Sequence, residues 1–214
     1  MRYWSRTSLL SFLLPKKELE ACRRPINFVC FPESGIISVI ADGAGGQDIE
    51  VGLIGRKGMT GLAIVMGTNR SPQRSFVQVE GCGWQLRSQD LVAAIQKSPT
   101  LHRQLLQYAH AFMMLTGYAA RAIGRCSIEE RLARWLLLSR DRIDTDTLTV
   151  THEGLSEALG VRRQGVTLAI QLLQHIGLIH ADRGHITIID REGLEERSGG
   201  PYGAPEAEFN RLFG

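Results

Sequence analysis

The run Thr151-His-Glu-Gly-Leu-Ser-Glu-Ala-Leu-Gly-Val-Arg-Arg-Gln-Gly-Val-Thr-Leu-Ala-Ile-Gln-Leu-Leu173 spells two short helices joined at a glycine. Thr151 supplies a hydroxyl that can cap the first helix, and Gly160 supplies the left-handed residue that ends it in a tight turn. Ser156 is small where two crossing helices must approach, and Val161 fills the corner between them. In the second helix, expected over about 162–174, Val166, Ile170 and Leu173 share one face at helical spacing. Arg163, Gln164, Thr167, Leu168 and Gln171 are left on the other. Such a face suits the DNA major groove, because arginine can make two hydrogen bonds to guanine and glutamine two to adenine. Arg162 is placed for a phosphate, a contact that adds salt-dependent affinity but no sequence information.

Downstream, His175-Ile-Gly-Leu-Ile-His-Ala-Asp-Arg-Gly-His-Ile-Thr-Ile-Ile189 reads as a strand, a turn at Asp182–Gly184 and a second alternating strand. This predicts a wing, with Arg183 and His185 at its tip near the DNA backbone. Upstream, Thr147–Thr151 reads as a short strand after the polar connection Asp141–Asp146. The helix before it begins at Ser127, where Ser-Ile-Glu-Glu has the pattern of a capping box, and buries Ile128, Leu132, Trp135 and Leu136. Between Pro99 and Pro201 there is no proline. Leu101, Leu105, Tyr108, Phe112, Leu115, Ala119 and Ala122 alternate at spacings of four and three, a heptad stripe that predicts a long helix over 99–125. That stripe is expected to form a dimer seam. His102 and His110 lie eight residues apart on this helix with no further signature of a haem site, and read as packed or solvent-facing residues.

The N-terminal part alternates short apolar runs with turn residues. Ile26–Phe31, Gly35–Ala41, Asp48–Ile54, Ser75–Glu80 and Gly83–Arg87 read as strands, separated by Pro-Glu-Ser-Gly at 32–35, Asp-Gly-Ala-Gly-Gly at 42–46 and Thr-Asn-Arg-Ser-Pro at 68–72. The expected class is therefore α+β: an antiparallel β domain over 1–98, the helix of 99–125, and a winged helix-turn-helix with a C-terminal tail over 126–214. A length of 214 residues suits two domains of about 100 each. The net charge of +3 tilts only weakly toward an anionic partner, and within 151–200 acidic residues outnumber basic ones, so DNA binding must rest on local placement. Cys22, Cys30, Cys82 and Cys126 are scattered without a C-x-x-C pair, so no metal or cofactor is expected. The apolar burst Leu9–Leu14, ended by Pro15, is too short to span a bilayer and lacks a cleavage signature, which places the chain in the cytoplasm.

Together these residues resemble the Crp/Fnr-type transcription regulators over nearly the whole chain. The match rests on Leu155–Leu173 with the wing at Gly177–Ile189, on Phe31-Pro-Glu-Ser-Gly-Ile-Ile, and on Glu50-Val-Gly-Leu-Ile-Gly-Arg-Lys-Gly-Met-Thr-Gly. The resemblance implies a β-roll sensor domain with a degenerate cyclic-nucleotide-binding fold, a dimerisation helix and a winged helix-turn-helix. In the family, a Gly-Glu pair holds the ribose of the nucleotide and an Arg-Ser or Arg-Thr its phosphate. Here Gly61-Leu62 and Arg74-Ser75 fall on those positions, and Leu62 accepts no hydrogen bond, so the resemblance implies no ordinary cyclic AMP binding in this pocket. Arg163, Gln164 and Leu168 fall on the family's base-reading positions, where Leu168 replaces an arginine. Leu9–Cys22 resembles the family's opening helix, which leaves five clear strands where a full roll needs about eight.

The expected function is that of a homodimeric, sequence-specific DNA-binding regulator, with duplex DNA, a second copy and RNA polymerase as partners. The alternative is a small-molecule sensor or protein-interaction module that no longer reads DNA. An enzyme is disfavoured by the lack of Gly-x-Ser-x-Gly, His-Glu-x-x-His or a phosphate-binding glycine loop before a helix.

Overall fold

The computed structural model of the chain describes residues 8–43, 48–143 and 145–214. Among the described residues, the N-terminal part holds seven strands, β1 (Ser8–Leu13), β2 (Glu18–Glu20), β3 (Phe28–Pro32), β4 (Ile36–Ala41), β5 (Ile49–Ile54), β6 (Gln73–Val79) and β7 (Gly81–Arg87), with the short helix α1 (Leu62–Val65) between β5 and β6. They form two antiparallel sheets, in the orders β1-β7-β3 and β2-β6-β4-β5. Leu13, Val29, Ile36, Ile37, Leu53 and Val77 are buried between them. Gly35, at φ +82°, ends the Pro-Glu-Ser-Gly turn between β3 and β4, a conformation only glycine adopts cheaply. Of the 42–46 turn, residues 44–46 lie outside the described residues.

One sequence expectation is overturned here. Leu9–Cys22 forms no helix: it supplies β1 and β2, two strands of the roll beyond the five that the sequence pattern shows. The physical reason lies in the partners. Leu10 and Phe12 face Trp84 and Cys82 across an antiparallel ladder with β7, and Lys16 and Lys17 continue along Val77, so this segment satisfies its backbone groups against strands. Pro15 also favours such a break over a continuous helix.

After β7 come α2 (Ser88–Lys97), which the sequence pattern does not single out, and the long helix α3 (Pro99–Arg125). Pro99 sits in the first turn, where its missing N–H costs nothing, and the Ser98 hydroxyl accepts from the amide of Leu101 at 3.2 Å. The stripe expected at a dimer seam is buried by the chain itself. Leu105, Tyr108, Phe112, Leu115, Ala119 and Ala122 are buried within the single chain, and Phe112 lies over Gly52 of β5 so closely that a Cβ there would meet its ring at 2.6 Å. A β domain with one open sheet face takes the most apolar side of the helix beside it.

Then follow α4 (Ile128–Arg140), β8 (Thr147–Thr149), α5 (His152–Leu159), α6 (Arg163–His175), β9 (Ile179–Asp182), β10 (His185–Ile188), α7 (Arg191–Arg197) and α8 (Ala204–Phe213). The expected capping box closes α4: the Ser127 amide donates to Glu130 at 2.7 Å and the Glu130 amide to the Ser127 hydroxyl at 3.4 Å. The two halves share a polar seam on β5. The Trp135 indole donates to Oε1 of Glu50 at 3.0 Å, Ser38 donates to Oε2 of the same carboxylate, and Arg142 donates to the Leu53 carbonyl at 2.9 Å. Helix α8 returns to α3, where His110 pairs with Glu208 at 3.1 Å. Among the described residues no helix is long and apolar enough to cross a membrane.

Burial pushes the Glu50 carboxyl up from 4.5 to about 7, although its two hydrogen bonds pull the other way. Between those two values the folded chain holds a proton that the unfolded chain has lost, so stability falls as pH rises through that window. Glu50→Gln keeps an acceptor for Trp135 and a partner for Ser38. Denaturant unfolding is expected to show little change at pH 5 and a gain of up to about 3 kcal/mol at pH 8.

Candidate nucleic-acid interface

Helices α5 and α6 are built as their sequence requires. Thr151 accepts the Gly154 amide at 3.0 Å to start α5, and Gly160, at φ +60°, ends it. The Ser156 hydroxyl donates to the Val161 carbonyl and the Val161 amide donates back to the Ser156 carbonyl at 3.1 Å, so the turn between the helices is closed from both sides. Val166, Ile170 and Leu173 then bury one face of α6.

The opposite face carries Arg163, Gln164, Leu168 and Gln171, all exposed, with Arg162 just before them. Among the described residues no carboxylate lies within 4.0 Å of Arg162, Arg163 or Arg183. Arg162 is the N-cap residue of α6 yet makes no side-chain cap, and the first turn holds no acidic residue. Two cations thus sit at the positive end of a helix dipole, an arrangement that is unfavourable in the free protein and is relieved by an anion. Thr167 differs from its neighbours. It is half-buried, its hydroxyl donates to the Arg163 carbonyl at 3.1 Å, and the same oxygen lies 3.1 Å from Nδ1 of His152. It fixes the helix surface more than it offers a group to a ligand. Leu168 is 61% exposed, an apolar side chain in the middle of a polar face.

Beside α6 stands a three-stranded sheet in the order β8-β10-β9, with Arg183 and Gly184 at the tip of its outer hairpin, both at positive φ. Such a two-residue turn matches the twist of the strands, and it places the Arg183 side chain at the end of the wing.

Of the four residues expected around a nucleotide, Arg74 lines a large cleft that the other three do not line. Arg74 pairs with Asp42 at 2.8 Å and Asp48 at 2.7 Å, so its charge is already answered. It lines a cleft of about 1490 Å³ between the β-roll and α5 that includes neither Gly61 nor Leu62. Ser75, next along β6, is buried with its hydroxyl unpartnered among the described residues. The Gly61 amide is taken by Glu20, a carboxylate that sequence reasoning misses because β2 reads as part of a helix. Burial raises the Glu20 carboxyl above its ordinary range, against the pull of Gly61 and Thr60. His102 faces the Val65 carbonyl at 3.3 Å, and the four cysteines are free thiols.

Residues 130–197 match the family model described as the Crp-like helix-turn-helix domain. This part of the chain is similar to Crp-like helix-turn-helix domains. About nine tenths of the chain shares the fold of solved Crp/Fnr regulators. It is similar to FixK2 from Bradyrhizobium japonicum, with a TM-score of 0.77, 14% identity, and 88% of this chain and 96% of that one covered. It is also similar to TTHB099, a CRP-family transcriptional regulator from Thermus thermophilus, with a TM-score of 0.74, 18% identity, and coverage of 91% and 99%. The regulator CLP from Xanthomonas campestris, described as responsive to c-di-GMP, superposes with a TM-score of 0.66 at 16% identity, covering 85% of this chain and 94% of that one. Among curated proteins, no sequence matches the chain. The segment that matches the family model begins within α4 and ends with α7, so it contains the whole turn, α6 and the hairpin of β9 and β10.

Gly160→Ala tests the turn. A Cβ there would be forced into the left-handed region and would lie 3.3 Å from Ile49. Thermal unfolding is expected to show a loss of about 1–2 kcal/mol.

Proposed function

We propose that this protein is a sequence-specific DNA-binding transcription regulator that acts as a homodimer, with α6 in the major groove. The observation that carries the reading is the pair Arg162 and Arg163, exposed and without a carboxylate partner among the described residues, at the start of an outward-facing helix in a Crp-like domain. Arg163 and Gln164 read base edges, Leu168 and Gln171 extend the contact, Thr167 supports it, and Arg162 and Arg183 hold phosphates. RNA polymerase is a further partner of such a regulator, and the cytoplasm its place of action.

The dimer seam belongs to the side of α3 that the chain leaves open. Leu106, Met113 and Ala120 are exposed and recur every seven residues, and Gly117 and Gly124 offset them by four, with nothing within 4 Å of either glycine's Cβ position. Small residues alternating with apolar ones let two helices approach closely along such a stripe. Two copies joined there would present two α6 helices to half-sites about one helical turn apart. Ala120→Glu is expected to shift the protein from dimer to monomer in analytical ultracentrifugation, while its circular dichroism stays that of the parent.

The deciding experiment selects binding sites from a random duplex pool at two salt concentrations. An enriched near-palindrome with half-sites about 10–11 base pairs apart supports the reading, and no enrichment at low salt would overturn it. On the selected site, Arg163→Ala is expected to cost about 1–3 kcal/mol and relax one base position, whereas Arg162→Ala weakens all sequences and lowers the salt slope. Equal losses on selected and random DNA for both variants would refute the division of roles. Because Arg74 is held by two aspartates, calorimetry with cyclic AMP is expected to show no saturable heat.

A further inference from the structure

A second cavity, of about 510 Å³, lies where the β-roll, α3, the loop after α4 and α8 meet. Its volume falls in the range of small-molecule sites, roughly 300–1,000 Å³. Among the described residues, its walls combine aromatic surface from Tyr108, Phe112 and Phe209 with the cations Lys57 and Arg142. The described carboxylates that line it have other partners: Asp146 has Arg140 at 2.8 Å, Asp141 has Arg191 at 2.9 Å and the Tyr202 hydroxyl at 2.6 Å, and Glu206 has the Gly203 amide at 2.7 Å. Two lining cations have no carboxylate within 4.0 Å among the described residues. One is Lys57, exposed, 5.9 Å from the centre of the Phe209 ring. The other is Arg142, whose guanidinium gives two of its donors to the carbonyls of Leu53 and Leu138.

Arg142 is expensive where it stands. Burial lowers its pKa against the pull of Glu206, Tyr108, Asp141 and Glu50, and the two carbonyls take only part of a guanidinium that has five N–H donors. A guanidinium that lines one cavity together with Lys57 and the rings of Tyr108, Phe112 and Phe209 fits an anion with an apolar, planar body. We propose that this cavity is an effector site for a small aromatic oxyanion, held by Arg142 and Lys57 with its ring against Phe112 and Phe209. The site is separate from the nucleotide positions around Gly61 and Arg74. Its occupant would touch both the β-roll loop 55–58 and the loop after α4, and so would bias how the Crp-like domain sits on the roll. Occupancy is read directly, without DNA, so this proposal and the DNA-binding reading can fail independently.

The test is isothermal calorimetry on the full chain with phenyl phosphate, benzoate, inorganic phosphate and the neutral benzamide. One saturable site per chain is expected for an aromatic anion, with benzamide at least about tenfold weaker, the size of effect a charged hydrogen bond confers. Tighter binding of phenyl phosphate than of benzoate assigns the site to a phosphoryl group, and the reverse order to a carboxylate. Lys57→Glu, at an exposed position, should weaken the preferred anion about tenfold or more without altering thermal unfolding. Arg142→Lys keeps the charge but loses the fork and should weaken it as well. The proposal is overturned if no aromatic anion binds saturably up to about 20 mM, a concentration at which a contact worth even about 3 kcal/mol would register. It is equally overturned if benzamide binds as well as benzoate, or if both folded variants bind like the parent.

Discussion

An edge strand of a sheet exposes a row of unpaired N–H and C=O groups and one apolar flank, and leaving both open to water is costly. Strand β5 is such an edge in the order β2-β6-β4-β5, and most of what joins the two halves of this chain serves to cover it. Gly52 receives the Phe112 ring, Glu50 receives the Trp135 indole, the Leu53 carbonyl receives the Arg142 guanidinium, and Ile49 lies against Gly160. Each contact belongs to a different element, so α3, α4, the loop after α4 and the end of α5 all take their positions from the six residues of one strand. The position of α6 follows from this, because α5 fixes α6 through the turn at Gly160.

The C-terminal part is legible in the sequence because its signals are local. A cap, a left-handed glycine and a small crossing residue each act within about one helical turn, and Thr151, Ser156 and Gly160 do what their chemistry suggests. The start of the chain is not legible for the opposite reason. Leu9–Leu14 is nearly all apolar, so it has no period to separate strand from helix, and its fate is set by β7, far along the chain. The same distance effect hides Glu20, whose partner Gly61 lies on another element. Arg74 and Ser75 can be placed in the sequence, but nothing local shows that Asp42 and Asp48 take the arginine.

Helix α3 shows how a correct period can be given the wrong partner. Its strongest stripe is a heptad pattern of large apolar residues, and periodicity alone does not say whether a sheet of the same chain or a second copy covers it. The bulk of Tyr108 and Phe112 suits the uneven surface of a sheet, where Gly52 makes room. The weaker stripe of Leu106, Met113 and Ala120, with Gly117 and Gly124 beside it, suits the shallow contact of two parallel rods. Residue size, not spacing, separates the two faces.

The pairing of His110 with Glu208 joins positions 98 apart in the chain, and Arg134 likewise reaches the Pro201 carbonyl from 67 away. During synthesis, the flank of α3 that α8 covers therefore stays open until residue 208 has left the ribosome. At about 5–20 residues per second, that interval after α3 itself emerges lasts several seconds, long compared with the collapse of the roll. The nascent chain thus spends that time with apolar surface exposed on a helix whose other side is the proposed dimer seam, so premature pairing between neighbouring chains competes with the return of its own α8.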